Sequence, residues 1–161
     1  MREIVLREAT DSDIATIVAI TQAAFAEYVG RLDPPSSVRD ETAEKVRAKL
    51  AEGRSVLALL GDIPAGTVYY SPHEGYMYLG RLAVLPAQRG QGIGTALVAY
   101  VERRAAELGL PQVRLGVRVA LPHLRALYER LGYHLYEERR HAGYNETTFV
   151  IMQKYIIGAG G

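Results

Sequence analysis

The segment that most constrains the fold is a glycine-rich stretch in the second half of the chain. Residues 83–95 have the sequence AVLPAQRGQGIGT, so an apolar run leads into three alternating glycines, and a helical pattern of apolar residues follows. Glycines here let the backbone approach a ligand and leave several N–H groups unobstructed. The amino terminus of a helix adds partial positive charge. The stretch therefore predicts a strand, a phosphate-binding loop and a helix in succession.

Two common nucleotide-binding patterns fail on the residues of this stretch. A dinucleotide fingerprint, G-x-G-x-x-G, would need a glycine where Thr95 stands, and it would follow the first strand of the fold. A Walker loop would need a lysine, and residues 83–95 contain none. Arg89 supplies a cation beside the glycines. A glycine-rich turn without a ligand stays open as the alternative.

The patterns of apolar residues predict the element order β-α-α-β-β-β-α-β-α-β-β, which is typical of an α/β chain with helices on the faces of a mixed sheet. Gly80, inside the longest strand, indicates a bulge or a close backbone approach. We expect one domain over residues 1–157 and a flexible tail at 158–161. Strands are predicted at residues 4–7, 56–60, 67–70, 76–85, 113–117, 133–139 and 147–155, and helices at 14–28, 42–50, 95–108 and 122–131.

Composition excludes several classes of function. The 161 residues include no cysteine, which excludes a thiolate nucleophile and a disulfide frame, and no apolar run reaches the roughly 18 residues of a membrane helix. A net charge of +1 without a basic stripe argues against nucleic-acid partners. The four histidines are too scattered for a local metal site. The start lacks a secretory signal, so we expect a cytoplasmic protein with no membrane partner.

Charge is distributed unevenly between the halves of the chain. Residues 1–80 carry 8 basic and 12 acidic side chains, and residues 81–161 carry 11 basic and 6 acidic ones. A basic second half would suit an anionic ligand, and an acidic first half would suit a cationic one. Chance unevenness on a solvated surface explains the count equally well.

Two segments resemble the GNAT superfamily of N-acetyltransferases. Residues 89–94, RGQGIG, resemble its R/Q-x-x-G-x-G/A signature, and residues 127–133, LYERLGY, resemble its L-Y-x-x-x-G-F/Y segment. The element order is similar along nearly the whole chain. The resemblance implies a single α/β domain whose mixed, mostly antiparallel sheet has about seven strands, is splayed at its centre and is flanked by about four helices.

The resemblance also implies acetyl-CoA as the cosubstrate and no metal. Backbone groups of Leu82 and Val84 would bond the pantetheine arm, and the N–H groups of residues 89–95 would hold the pyrophosphate. The residues expected to bind acetyl-CoA are Leu82, Ala83, Val84, Arg89, Gly90, Gln91, Gly92, Ile93, Gly94 and Thr95.

The implied reaction is acyl transfer to an amine, and it needs a donor for the developing oxyanion and an acid for the departing thiolate. A strand N–H near Leu82 is the candidate oxyanion donor. Tyr128 matches the family's tyrosine acid. Tyr128 also shares an apolar helix face with Leu124 and Leu131, so a core role is open beside the catalytic one.

Two departures from the family pattern limit what can be carried over. Leu121 stands seven positions before Tyr128, where the family often has asparagine. The long strand has Tyr78 and Gly80 where the family often has a glutamate base. The general base is therefore open among His73, Glu74, His141 and a water reached through backbone groups, and a pre-deprotonated amine would need none.

Candidate acceptor-binding residues come from the end of the first helix, the long strand and the last turn. They are Phe25, Tyr28, Tyr78, His141 and Tyr144. Glu27 is expected either to bind a cationic amine or to lie on a solvated helix face. The sequence thus favours acetyl transfer to the primary amine of a small molecule or peptide.

Two other functions remain open at this stage. One is a non-catalytic acyl-CoA sensor of the same fold, and the other is a phosphate-binding module of a different fold. Family resemblance also makes a homodimer through the last strands an expectation.

Overall fold

The structure is a computed structural model that describes residues 3–156, except for the side chains of Ser37 and Arg39. The tail expected at residues 158–161 lies outside the described residues. Seven strands and four helices follow one another along the chain. They are β1 (Ile4–Glu8), α1 (Ile14–Phe25), α2 (Ala43–Leu50), β2 (Arg54–Leu60), β3 (Ile63–His73), β4 (Tyr76–Val84), α3 (Ile93–Glu107), β5 (Gln112–Arg118), α4 (Pro122–Arg130), β6 (His134–Arg139) and β7 (Phe149–Tyr155).

The strands form one mixed sheet in the order β1-β2-β3-β4-β5-β7-β6. The pairs β1·β2, β2·β3, β5·β7 and β6·β7 are antiparallel, and β4 and β5 are parallel. This confirms the predicted mixed, mostly antiparallel sheet of seven strands with four helices. The chain divides into two compact units, called here unit 1 (residues 3–71 and 79–101) and unit 2 (residues 72–78 and 102–156). The single-domain boundaries stay a prediction.

In unit 1, α1 and α2 pack on the sheet through apolar residues at helical spacing. The buried cluster comprises Ile14, Ile17, Ile20, Ala24, Val46, Leu57 and Ala83. The entry to α1 is fixed by Asp13, whose carboxylate accepts from the Thr10 N–H at 2.8 Å and from the Arg7 guanidinium at 2.8 Å. These charge-assisted bonds hold the pKa of Asp13 down at about 2, with the Arg7 bond as the main cause.

In unit 2, β5 alternates as the sequence predicts, with Val113, Leu115 and Val117 buried. Its parallel pairing with β4 runs through Met77 with Val113 and Tyr78 with Arg114. β6 forms the end of the sheet order, and all its residues are exposed. A register shift interrupts β6 between Leu135 and Glu137.

Three elements differ from the sequence prediction in instructive ways. The α-helix expected over 14–28 ends at Phe25 and continues as a 3-10 turn, Ala26–Tyr28. β3 is longer than the expected 67–70, because pairing with β2 from Arg54 to Leu60 carries it through Pro64 and Gly66, which disfavour strands on their own. In β4 the unusual backbone falls one residue after Gly80, at Arg81, whose φ is +54°.

Candidate functional site

The glycine stretch lies in unit 1 between β4 and α3, and its backbone is open. Gly90 and Gly92 have φ angles of +81° and +82°, which residues with a Cβ rarely adopt. Around the place where a Cβ would stand on either glycine, no atom of the described chain beyond the adjacent residues lies within 4 Å. Both are exposed. Glycine is therefore required here by conformation and not by crowding.

The start of α3 supplies a set of amide donors beside these glycines. α3 begins at Ile93, so Ile93 and Gly94 belong to the helix and not to the loop as predicted. The Ala96 N–H donates to the Gly92 carbonyl at 3.0 Å. The N–H groups of Ile93, Gly94 and Thr95 precede that bond, and helix geometry gives them no intrahelical acceptor. This arrangement suits an anion such as a pyrophosphate.

Gly66, which the sequence did not single out, lets the start of α3 pack closely against the sheet. A Cβ on Gly66 would stand 2.9 Å from Ile93 Cγ2, 3.0 Å from the Ala83 carbonyl oxygen and 3.2 Å from Leu97 Cδ1. Ile93 is only 2% exposed. The absence of a side chain on β3 therefore lets the first turn of α3 pack closely. A glycine inside a β-rich run was the available signal.

Arg89 ties the loop to the end of α1. Its guanidinium lies 2.8 Å from Glu27 Oε1 and donates to the Ala24 carbonyl at 3.0 Å. Both side chains of the ion pair are more than 40% exposed, so the pair contributes little to stability. Glu27 is thus neither a solvated helix residue nor an open carboxylate: it is the partner of Arg89. The guanidinium of Arg89 is thus engaged with the end of α1.

A buried ion pair in unit 1 accompanies the unusual backbone of Arg81. The Glu41 side chain is only 2% exposed, and its carboxylate lies 3.2 Å from Arg81 Nε and 3.6 Å from Lys49 Nζ. A left-handed conformation costs a non-glycine residue about 1–2 kcal/mol. Breaking a buried ion pair by removing one partner costs about 3–5 kcal/mol. The pair with Glu41 can therefore offset the strain at Arg81.

Two predicted acceptor residues, Phe25 and Tyr28, lie together at the end of α1. Their rings meet edge to face with centroids 5.8 Å apart. They line an open depression with Val29, Gly30, Pro35 and Ser36. Burial raises the pKa of Tyr28, and the neighbouring Glu27 adds to the shift. The depression is small, and its walls are mostly apolar.

In unit 2, Tyr128 is the buried residue of α4, at 7% exposure. α4 ends in a Schellman motif: the Gly132 N–H donates to the Glu129 carbonyl at 3.0 Å and the Tyr133 N–H to the Tyr128 carbonyl at 2.9 Å. This turn brings Tyr133 back against Tyr128, with the rings edge to face at 5.9 Å. The structure therefore explains why the LYERLGY segment contains a glycine and a second aromatic residue.

Burial raises the pKa of Tyr128 well above its usual range, and the nearby Tyr78 hydroxyl adds to the shift. Tyr128 is therefore a neutral phenol at every working pH. Tyr133 also has a pKa raised by burial and by Glu102, to which its hydroxyl donates at 2.9 Å. The two tyrosines differ in that Tyr133 is engaged with a carboxylate that Lys154 also contacts at 3.1 Å.

The remaining predicted acceptor residues also lie in unit 2. Tyr78 is 38% exposed on β4, and its ring stands edge to face with His73 at 6.4 Å. In the turn between β6 and β7, His141 packs against Tyr144 at 6.4 Å and Phe149 at 4.9 Å. Its Nδ1 lies 2.5 Å from Thr148 Oγ1. Desolvation and then the charge of Arg118 lower the pKa of His141.

Two other kinds of feature, a metal-binding cluster and a membrane-spanning helix, are absent from residues 3–156. Within that range, no group of three or more histidine, aspartate or glutamate side chains is arranged to hold a metal ion. No helix in the described part of the chain combines the length and apolar character that crossing a membrane requires.

Comparison with known proteins decides the family. A model of the acetyltransferase (GNAT) family matches residues 17–133, which is most of the chain. The chain belongs to the GNAT acetyltransferase family. Along its whole length this GNAT chain is similar to the S-alkylcysteine N-acetyltransferase of Bacillus subtilis, at 29% identity over 98% of this chain and 92% of that protein.

Solved structures show the same fold. The PaiA N-acetyltransferase of Thermoplasma acidophilum, in complex with coenzyme A, superposes with a TM-score of 0.80 at 17% identity, over 95% of this chain and 99% of that one. The ribosomal-protein-S18-alanine N-acetyltransferase of Escherichia coli gives a TM-score of 0.80 at 20% identity, over 98% and 97%. At such identities the likeness concerns the GNAT fold alone.

The family assignment confirms four sequence predictions: the GNAT resemblance, the fold class, the N-acetyltransferase class of enzyme and acetyl-CoA as cosubstrate. The individual site residues stay predictions. Within unit 1, the structure links the glycine loop to the end of α1 near Phe25 and Tyr28. Within unit 2, it sets Tyr128 close to Tyr78, and His141 beside Tyr144.

Proposed function

We propose that this GNAT enzyme transfers the acetyl group of acetyl-CoA to the primary amine of a small molecule. The observation that carries the proposal is the open glycine loop at the start of α3 in unit 1. Gly90 and Gly92 hold left-handed φ angles in exposed backbone, and the amides of the first α3 turn follow them. Such a donor set suits an anionic ligand, and the pyrophosphate of CoA is one.

The residues that would hold acetyl-CoA are the predicted ones. Backbone groups of Leu82 and Val84, on either side of the buried Ala83, would bond the pantetheine arm as an added strand would. The amides from Arg89 to Thr95 would hold the pyrophosphate. When bound, acetyl-CoA supplies the thioester carbonyl that an amine attacks. The Leu82 N–H would donate to the oxygen of that carbonyl as negative charge develops.

Tyr128 would act as the acid toward the departing sulfur. Its raised pKa keeps the proton on the phenol, so it approaches the sulfur as a hydrogen-bond donor. Ordinary thiols have a pKa near 8.5, below that of this phenol, so Tyr128 stabilises the departing thiolate by donating a hydrogen bond and keeps most of its proton. Positioned acid catalysis of this kind contributes about 10²–10⁴-fold.

The acceptor class is supported by the name of the full-length relative. That protein acetylates an S-alkylcysteine, a small α-amino acid with an apolar side chain. The depression beside Phe25 and Tyr28 in unit 1 has mostly apolar walls, which suit an apolar side chain. In unit 2, Tyr78, His141 and Tyr144 offer aromatic surface to an acceptor.

A thermal-shift series followed by a turnover assay tests the proposal. Acetyl-CoA, CoA, NAD, ATP and AMP are added at matched concentration. At about 100-fold over its Kd a ligand adds about 2.7 kcal/mol, which is roughly 5 °C or more for a chain of this size. We expect a rise with acetyl-CoA and CoA alone. A preference for NAD or ATP would overturn the cosubstrate assignment.

Thiol release is then measured with acetyl-CoA and three amines: an S-alkylcysteine, a peptide with an amino-terminal alanine and an aliphatic diamine. We expect release with the amino acid and not with the peptide. Binding of acetyl-CoA without release by any amine would favour the non-catalytic sensor. Release with the peptide would move the acceptor class to proteins.

A further inference from the structure

The backbone of β4 has an unusual conformation at Arg81. Up to Leu79 the strand alternates between buried and more exposed residues, and at Gly80 two buried residues come in succession. Arg81 then takes a φ of +54°, the only positive φ of a non-glycine residue within residues 3–156. The left-handed turn of the backbone at Arg81 rotates the next peptide, so it sets the side of β4 toward which the Leu82 N–H points.

Glu41 stands at a fixed point of the segment between α1 and α2. Its N–H donates to the Val38 carbonyl at 3.0 Å, and its own carbonyl accepts from Gln22 Nε2 at 2.9 Å. Gln22 lies on α1, so the main chain of Glu41 is attached to a helix. The carboxylate therefore leaves the backbone from a rigid base and not from a freely moving loop.

The Glu41 carboxylate reaches β4 at the residue with the unusual backbone. It lies 3.2 Å from Arg81 Nε, and its side chain is only 2% exposed, whereas Arg81 and Lys49 are 23% and 31% exposed. A carboxylate enclosed in this way needs its cations, because water cannot replace them. It is also a poor base or amine-binding group, because it is sealed and already paired. Its position points to a mechanical role.

We propose that Glu41 is a positioning residue that holds Arg81 in its left-handed conformation and so aims the Leu82 N–H at the thioester oxygen. The proposal rests on the proposed function, since the Leu82 N–H acts only if the chain binds acetyl-CoA. Glu41 touches neither cosubstrate nor acceptor in this role. Its influence on the rate passes through the backbone of β4.

A double-mutant cycle with Glu41→Gln and Arg81→Gly tests this role. Glutamine keeps the shape of Glu41 and removes the charge, so Arg81 can relax to an extended conformation. We expect kcat for thiol release to fall at least 10-fold, with KM for acetyl-CoA changed less than about twofold. Glycine adopts a positive φ without strain, so Arg81→Gly should lower kcat less than Glu41→Gln does, and its melting temperature should fall because Glu41 then keeps only Lys49. In the Arg81→Gly background, Glu41→Gln should then cost less than twofold.

Lys49→Met is the matched control, because Lys49 contacts the same carboxylate and leaves Arg81 paired. We expect a lower melting temperature and a kcat within twofold of the parent. Two results would overturn the proposal: an equal loss of kcat from Glu41→Gln with and without Arg81→Gly, which marks a merely structural residue, or an unchanged kcat in Glu41→Gln.

An NMR measurement, which needs no turnover, distinguishes failure of this proposal from failure of the proposed function. NMR reports the backbone of β4 directly. The three-bond HN–Hα coupling and the Cβ chemical shift report the conformation of Arg81, and the amide shift reports the surroundings of the Leu82 N–H. Glu41→Gln should move the Arg81 values from left-handed toward extended and shift the Leu82 amide, whereas Lys49→Met should not. Unchanged values in Glu41→Gln refute the positioning role even if the enzyme turns over. Changed values in a chain that releases no thiol refute the acceptor assignment instead.

Discussion

The two units carry candidate site elements of opposite physical kinds. In unit 1 the glycine loop is exposed, and what it offers to a ligand is main-chain N–H groups. In unit 2 the candidate acid is a side chain, Tyr128, at 7% exposure with a pKa raised by burial. The first depends on backbone conformation and tolerates changes of side chain that preserve φ. The second depends on one hydroxyl and tolerates no change that removes it.

The largest expected effect comes from removing that hydroxyl. Tyr128→Phe should lower kcat about 100-fold, because the departing sulfur loses its proton donor while the buried ring and its packing stay. KM for acetyl-CoA and the melting temperature should change little. Steady-state thiol release and a thermal melt measure both.

Tyr133→Phe is the control for this substitution. It removes the hydroxyl that donates to Glu102, so it should lower the melting temperature and leave kcat within about twofold. A matched loss of kcat in both variants would reduce Tyr128 to a core residue.

The next effect distinguishes two glycines of the same loop. Gly92→Ala should weaken acetyl-CoA binding about 10-fold, because a left-handed φ costs an alanine about 1–2 kcal/mol. Gly94→Ala should change binding less than about twofold, because Gly94 is helical and a Cβ there meets Val84 Cγ2 at an ordinary 3.8 Å. Calorimetric titration with CoA gives both affinities. Equal losses would show that crowding, and not backbone conformation, governs the loop.

A side chain of unit 1 away from the loop should affect stability alone. Asp13 has a pKa of about 2 when folded, below the usual 3.8 of the unfolded chain, so its contribution is full above pH 4 and is lost as pH falls toward 2. Arg7 is half exposed, which reduces that contribution to about 1 kcal/mol. Asp13→Asn should lower stability by this amount at pH 7 and by almost nothing at pH 2, as urea unfolding can measure. An altered KM for acetyl-CoA would contradict the separation.

The smallest effect concerns alkaline pH. An acid with the ordinary tyrosine pKa near 10 would ionise in part by pH 9.5 and lower kcat. Because burial raises the pKa of Tyr128, its proton stays, and kcat should show no fall from pH 8 to 10. Fixed-time assays of thiol release at saturating acetyl-CoA measure kcat over this pH range. An alkaline fall that Tyr128→Phe abolishes would mean that Tyr128 is more solvated than its burial indicates.

What the sequence could predict was local. The strand, loop and helix around residues 83–95 follow from neighbouring residues, since alternating glycines after an apolar run determine φ within the loop itself. The LYERLGY segment is local in the same way. Its glycine, Gly132, ends α4, and the turn brings Tyr133 back against Tyr128. Both parts therefore emerged with nearly correct boundaries.

What the sequence could not predict depends on partners distant along the chain. Glu27 had two sequence interpretations, and neither was a pair with Arg89, because the approach of α1 to the loop is a tertiary contact. Glu41 lies one residue before a helix cap and carries no local signal of burial. Gly80 did indicate an irregular strand, but the residue with the left-handed backbone is Arg81, which is paired with Glu41. The periodicity of apolar residues carries no information about such an ion pair.

The exposed strand β6 has a consequence for the behaviour of the protein at high concentration. An edge strand offers unpaired N–H and C=O groups along one side, which a second chain can join as a further strand. In β6 the register shift after Leu135 bends that side, and Glu137, Glu138 and Arg139 place charges along it. The bend and the charges disfavour the pairing of this edge with another chain. Replacing these residues with β-branched apolar ones is therefore expected to make the protein aggregate before it loses activity.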